Sequence, residues 1–180
     1  MADDGRPHPY LGTDLAPEAY YRACADAYDN PHADGIARIL KELAPPLSGC
    51  VLDLGCGDGL VTKLLAHQPE LRCVGVDRSA EMVARYVRET GCSASVGCFG
   101  EPLPAADWIV ASYALHLATP QEQATMWWRM HEAGAHGVVV ISPFKGRPAD
   151  PAHYYRLERQ LQGLYGPHRK TLYAKWYARR

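Results

Sequence analysis

The sequence predicts an α/β fold: a three-layer α/β/α sandwich around a mainly parallel sheet. Three observations carry this. Short, continuous apolar runs rich in Val and Ile recur at 50–54, 72–76, 108–112 and 137–141, as strands buried on both faces require. Segments with helical apolar spacing lie between them, and strand–helix alternation of this kind builds a parallel sheet with helices on both faces. A glycine-rich turn joins the first run to the first of these helices, where ligands of such sheets bind, beyond the carboxyl ends of the strands.

Taken in order, residues 1–15 read as a loose arm rich in Pro, Gly and Asp. A single domain is expected over 16–180, with N-terminal helices in 16–45, a core at 50–141 and a basic, aromatic part at 142–180. Helices are expected near 17–28 and 32–43. In the second, Ile36, Ile39, Leu40 and Leu43 share a face, and the Pro-Pro pair at 45–46 stops it. After the first strand, Leu60, Val61, Leu64 and Leu65 make one helical face. Met82, Val83, Tyr86 and Val87 make another, opened by Ser79 as N-cap. Thr119-Pro120-Gln121-Glu122 is a capping box with proline at the first helical position, and Met126, Trp127 and Met130 follow on its helix. Past 141, the spacing of Tyr154, Leu157, Leu161 and Leu164 predicts a helix, and residues 172–177 a final strand. The sheet would then lack one C-terminal strand.

With 180 residues, 47% of them hydrophobic and 22% charged, the chain suits one globular domain and not a disordered or fibrous protein. No apolar run approaches the roughly 20 residues of a membrane helix, and the polar, acidic start resembles no targeting peptide. A cytoplasmic protein, monomeric or homodimeric, is expected. Six cysteines (24, 50, 56, 73, 92 and 98) include no Cys-x-x-Cys pair and no zinc spacing with the histidines, so free thiols and no metal are expected.

The chemistry concentrates in VLDLGCGDGL, residues 51–60. Glycines here let the chain turn sharply and let a ligand approach without a Cβ in the way. Amides opening the next helix favour a carboxylate or phosphate. A dinucleotide fingerprint would need glycine at 60, which is Leu60; the third glycine is Gly59 instead, and Asp53 precedes the first by two. Eighteen residues past Gly59, Asp77 ends the second strand, where a carboxylate can accept from both hydroxyls of a ribose.

This Asp-x-Gly-x-Gly-x-Gly arrangement resembles the first signature of class I S-adenosylmethionine-dependent methyltransferases, with their Rossmann-like fold. Residues 107–117, DWIVASYALHL, are similar to the family's fourth-strand segment in a form common among small-molecule enzymes. The resemblance covers roughly residues 30–145. It implies S-adenosylmethionine as methyl donor, with S-adenosylhomocysteine as product. By position, it puts Asp53, Gly55, Cys56, Gly57 and Gly59 around the methionine part. Asp77 and Arg78 fall at the ribose, Met82 beside the adenine and Ser112 at the fourth-strand edge. The family's acid for the adenine amine is absent: residues 97–104 read GCFGEPLP. The base is therefore expected on Cys98 and Phe99 and their amides, with Glu101 a weaker substitute.

The implied reaction is in-line methyl transfer to an O or N nucleophile, in which positioning does most of the work. His116 is the candidate general base, against a reading as a local packing group, with Tyr113 the runner-up, expected to orient the acceptor. Tyr20, Tyr21 and Tyr28 lie where relatives have a lid, though core packing serves equally. Residues 151–180 carry seven Lys or Arg against Glu158 alone, while the first 150 hold 12 basic and 19 acidic residues. Basic charge among aromatics suits nucleic acid. The alternation of Leu172, Ala174 and Trp176 instead favours a half-buried strand, and a pI of 6.7 argues against a dedicated nucleic-acid protein. A small-molecule acceptor is the leading expectation. An RNA or protein methyltransferase, or a catalytically idle cofactor- or partner-binding domain, is the alternative.

Overall fold

Val- and Ile-rich runs too short for helices bury both faces only when neighbouring strands and two layers of helices enclose them, and this is what forms. The computed structural model describes residues 33–43, 46–115, 118–142, 151, 153–165 and 170–180. The expected helix at 17–28, with Tyr20, Tyr21 and Tyr28, lies outside the described residues, as does His116.

The four apolar runs become β1 (Cys50–Leu54), β2 (Arg72–Asp77), β4 (Trp108–Ser112) and β5 (Gly137–Ser142). A further strand, β3 (Ala94–Val96), pairs parallel with β2. It is three residues long with two exposed, so it leaves no apolar run to read. With β6 (Tyr155–Tyr165) and β7 (Lys170–Arg179) the sheet has seven strands in the order β3-β2-β1-β4-β5-β7-β6. Only β7 runs against both its neighbours. The order reverses between β1 and β4, which opens a crevice above their carboxyl ends.

The helices are α1 (Ala33–Leu43), α2 (Leu60–Leu65), α3 (Ala80–Thr90) and α4 (Pro120–Glu132). Their starts follow the expected chemistry. The Ser79 hydroxyl accepts the Met82 amide at 3.2 Å. Thr119 and Glu122 cap each other's amides at 2.7 and 3.2 Å. Gly91 ends α3 at φ 70°.

One face of the sheet packs Leu52, Ile109 and Val138 beneath Met126, Trp127 and Met130 of α4. The other packs Val51, Val110 and Val139 against Ile36 and Ile39 of α1 and Val61 and Leu65 of α2. Tyr86 of α3 lies against the bare backbone of Gly75. No described helix is long and apolar enough to cross a membrane.

The C-terminal expectation is corrected. Residues 155–165 are a strand, not a helix, and no strand is missing. A bulge explains the misleading spacing. Leu157 pairs with Tyr177, but Arg159 pairs with Trp176, so Glu158 is an extra residue. It reverses the alternation: Tyr155 joins the core under α4, while Leu161 packs on the α1 side. Apolar residues three and four apart therefore imitate a helical face.

Candidate functional site

The glycine turn is held over the sheet by backbone bonds to β2. The amides of Gly55 and Cys56 both donate to the Val76 carbonyl, at 2.7 and 3.1 Å. The Gly57 amide donates to Asp77 Oδ2 at 2.9 Å. Parallel pairing of Leu54 with Val76 brings these groups together, so the turn and Asp77 are parts of one structure. At Gly55 (φ 74°), an added Cβ would lie 2.5 Å from that of Ala114, in the segment after β4. At Gly57 (φ 50°), an added Cβ would meet nothing within 4 Å. The first glycine lets the β4 end close in; the second keeps the loop's open side free for a ligand.

Below the turn is a cavity of about 190 Å³. Asp53 lines its floor, 2% exposed, and accepts a 3.1 Å bond from the Thr62 hydroxyl, which also bonds the Tyr86 hydroxyl at 2.8 Å. Burial pushes the Asp53 carboxyl up to about 8, against the lowering effect of Thr62. Asp77 is also raised by burial, although its Oδ1 accepts the Ser79 amide and its Oδ2 the Gly57 amide, each at 2.9 Å. Asp58 pairs with Lys63 at 3.3 Å. Burial pushes the Cys56 thiol far up, which removes it as a nucleophile.

The structure brings most of the anticipated residues to this cavity. Asp53, Gly55, Cys56 and Gly57 line it from the first turn; Asp77 and Arg78 from the end of β2; Met82 from α3; Cys98 and Phe99 from the segment after β3. Ser112 and Tyr113 close it from β4. Tyr113 has φ 57°, in the left-handed region that an aromatic residue adopts only at a cost of order 1–3 kcal/mol.

Two expectations change. Gly59 is not part of the lining; it turns the chain into α2, against Tyr86 and Thr90. The Cys98 amide is taken within its own turn by Glu101 Oε2 at 2.9 Å, so Glu101 braces that turn and is not in the cavity wall. Glu122 is a lining residue that the sequence showed only as a helix cap. Nothing local marks it, because the packing of α4 across the sheet brings it there.

Among the described residues, four acidic side chains (Asp53, Asp58, Asp77 and Glu122) line the cavity against one cation, Arg78; burial holds Asp53 mostly protonated at neutral pH, so the wall's negative charge rests on the other three. Such a wall repels a pyrophosphate and favours a ligand with positive charge and hydroxyls. No group of His, Cys, Asp and Glu able to hold a metal ion occurs among the described residues. Cys50, Cys56, Cys73, Cys92 and Cys98 are free thiols.

Comparison with known proteins points the same way. A family model described as a methyltransferase domain matches residues 51–137. The trans-aconitate 2-methyltransferase of Mycobacterium ulcerans is 33% identical over 138 residues, covering 75% of this chain and 50% of that protein. The chain thus spans about half the length of the curated relatives it matches. A TehB-like SAM-dependent methyltransferase from Corynebacterium glutamicum superposes with a TM-score of 0.64 at 17% identity, covering 89% of this chain and 94% of that one. The magnesium protoporphyrin IX methyltransferase of Synechocystis PCC 6803, solved with bound SAM, gives 0.64 at 14% identity over 82% of this chain and 78% of that one. At these identities the two structures show a shared fold.

Proposed function

The chain belongs to the class I S-adenosylmethionine-dependent methyltransferase family, and on that premise we propose that it uses S-adenosylmethionine to methylate an O or N nucleophile of a small-molecule acceptor. The acid-lined cavity carries this reading. A cationic donor suits an acidic wall set against one arginine, whereas a dinucleotide would bring its pyrophosphate against it. The open face of Gly57 is the cradle such a ligand needs. Relatives named trans-aconitate 2-methyltransferases support a small acceptor. The same reading has the protein act in the cytoplasm, as a monomer or homodimer, with nucleic acid a less favoured partner than a small molecule.

In this proposal Asp53 and the open face of the turn at Gly57 receive the methionine part. Asp77 receives the ribose, with its spare lone pairs left over from the Gly57 and Ser79 amides. Met82 and Phe99 offer apolar surface to the base, with Cys98, Arg78 and Ser112 completing the wall. When bound, S-adenosylmethionine supplies a methyl group already activated on a sulfonium sulfur. The chain's task is to exclude water and to hold the acceptor in line. Tyr113, fixed in a strained turn beside the cavity, orients the acceptor, and His116 takes a proton where the nucleophile carries one.

The test is calorimetric titration with S-adenosylmethionine, S-adenosylhomocysteine and NAD. Binding of the first two, weakened on the order of a hundredfold by Asp77→Ala, is expected. A preference for NAD, or no nucleoside binding at all, would overturn the reading. Transfer of labelled methyl into fractionated metabolites, RNA and protein then identifies the acceptor class.

A further inference from the structure

The base end of the cavity poses a chemical problem. Adenine presents an exocyclic amine, a donor that needs an acceptor, yet the turn that receives the base in this reading offers Cys98 and Phe99. Its own acid, Glu101, is committed to the Cys98 amide and is absent from the wall. The other carboxylates of the cavity are engaged too. Asp53 holds Thr62 under the glycine turn, Asp58 pairs with Lys63, and Asp77 carries two amides at the end of β2.

Glu122 joins the cavity wall from α4. The helix that carries it is fastened to the turn holding Cys98 and Phe99. Arg129 Nε donates to the Gly100 carbonyl at 2.8 Å, and a Cβ on Gly100 would sit 3.6 Å from Thr125 Cγ2, in ordinary contact. Glu122 lies one turn of α4 before Thr125, toward the cavity. Its Oε2 accepts the Thr119 amide at 2.7 Å, which fixes the side chain and leaves acceptor capacity on the carboxylate. The Thr119 amide and hydroxyl hold its carboxyl below the usual range, so it stays ionised.

We propose that Glu122 is the adenine-specificity residue of this protein, accepting the exocyclic amine in place of the acid missing at Cys98. The inference rests on S-adenosylmethionine being the ligand and goes beyond it. A carboxylate can only accept, so it suits an amine and repels a carbonyl at the same position of the base. An amide can turn either way and suits both.

Wild type and Glu122→Gln are titrated with S-adenosylhomocysteine and with S-inosylhomocysteine, whose base has a carbonyl in place of the amine. Glutamine keeps the capping box, so melting temperatures should match. Wild type is expected to prefer the adenine form about tenfold or more, and the variant to bind both within about threefold. A variant that keeps the wild-type preference overturns the inference, as does a wild type that shows none. A wild type that binds neither nucleoside overturns the cofactor reading beneath it.

Discussion

The first glycine turn and the terminal hairpin sit at opposite ends of the sheet's logic. In the turn, nearly every bond runs between backbone groups or from an amide to one carboxylate, within the 28 residues from Cys50 to Asp77. The chain there has little freedom, because sharp bending dictates glycine and a strand end dictates where the acid must stand. In the hairpin, β6 pairs only with β7, and that pairing depends on a bulge at Glu158 that no residue type requires. What holds it is side-chain packing: Tyr155 and Tyr177 lie against Trp127 of α4, with ring centroids 5.8 and 5.1 Å away. One region is specified by backbone geometry, the other by distant partners. The first should fail through function, the second through stability.

Gly55→Val gives the largest expected effect. Its φ of 74° and the Ala114 Cβ 2.5 Å from an added Cβ mean that strain and overpacking each cost on the order of 1–3 kcal/mol. Relief would push the turn away from β4 and open the cavity. Binding of S-adenosylhomocysteine should fall below detection by calorimetry, in a protein that still shows its α/β circular dichroism. Retained affinity would show that the turn tolerates displacement and would blur the contrast.

Tyr155→Ala tests the other region. Truncating this 1% exposed side chain should cost roughly 3 kcal/mol in urea unfolding, the cost of a large buried aromatic cavity. The affinity for S-adenosylhomocysteine should stay within about twofold of wild type, since Tyr155 is no part of the cavity wall and its hydroxyl reaches only toward the Ala135 carbonyl. A large loss of affinity would mean that the two regions are coupled.

The same contrast explains what could be read from the sequence. The parallel strands, the caps at Ser79 and Thr119, and the pairing of the glycine turn with Asp77 were all legible. Each follows from local rules of periodicity or from backbone conformations that restrict residue type. The strand β3 escaped because three residues, two of them exposed, carry no period. The hairpin was misread because Glu158 shifts the alternation by one and converts a period of two into spacings of three and four. At the site, Glu122 was legible only as a helix cap, since its second position depends on α4 docking against Gly100. Glu101 looked available until its carboxylate was found on Cys98's amide. Local chemistry is written in the chain; which free group faces which cavity is decided by packing.

A smaller effect sharpens the comparison from within the turn. Asp53 is raised from 3.8 to about 8 when folded, because burial outweighs the bond from Thr62. Between these values the folded protein binds a proton that the unfolded chain has released. Stability without ligand should therefore decline as pH rises from about 4 to about 8, by at most roughly 1.4 kcal/mol per pH unit. Asp77, also raised, acts in the same direction, and Glu89, lowered by Lys63, gives an opposite slope in the acid range. The difference between wild type and Asp53→Asn isolates the Asp53 share. The variant should gain stability relative to wild type as pH rises, while losing affinity for S-adenosylhomocysteine. In wild type the ligand's ammonium would favour the ionised carboxylate, so affinity should increase from pH 6 toward 8 and the variant should lack that rise. Urea unfolding and calorimetry at pH 5, 6, 7 and 8 measure both. Parallel profiles for the two proteins would remove Asp53 as a titrating group and leave it as a structural partner of Thr62.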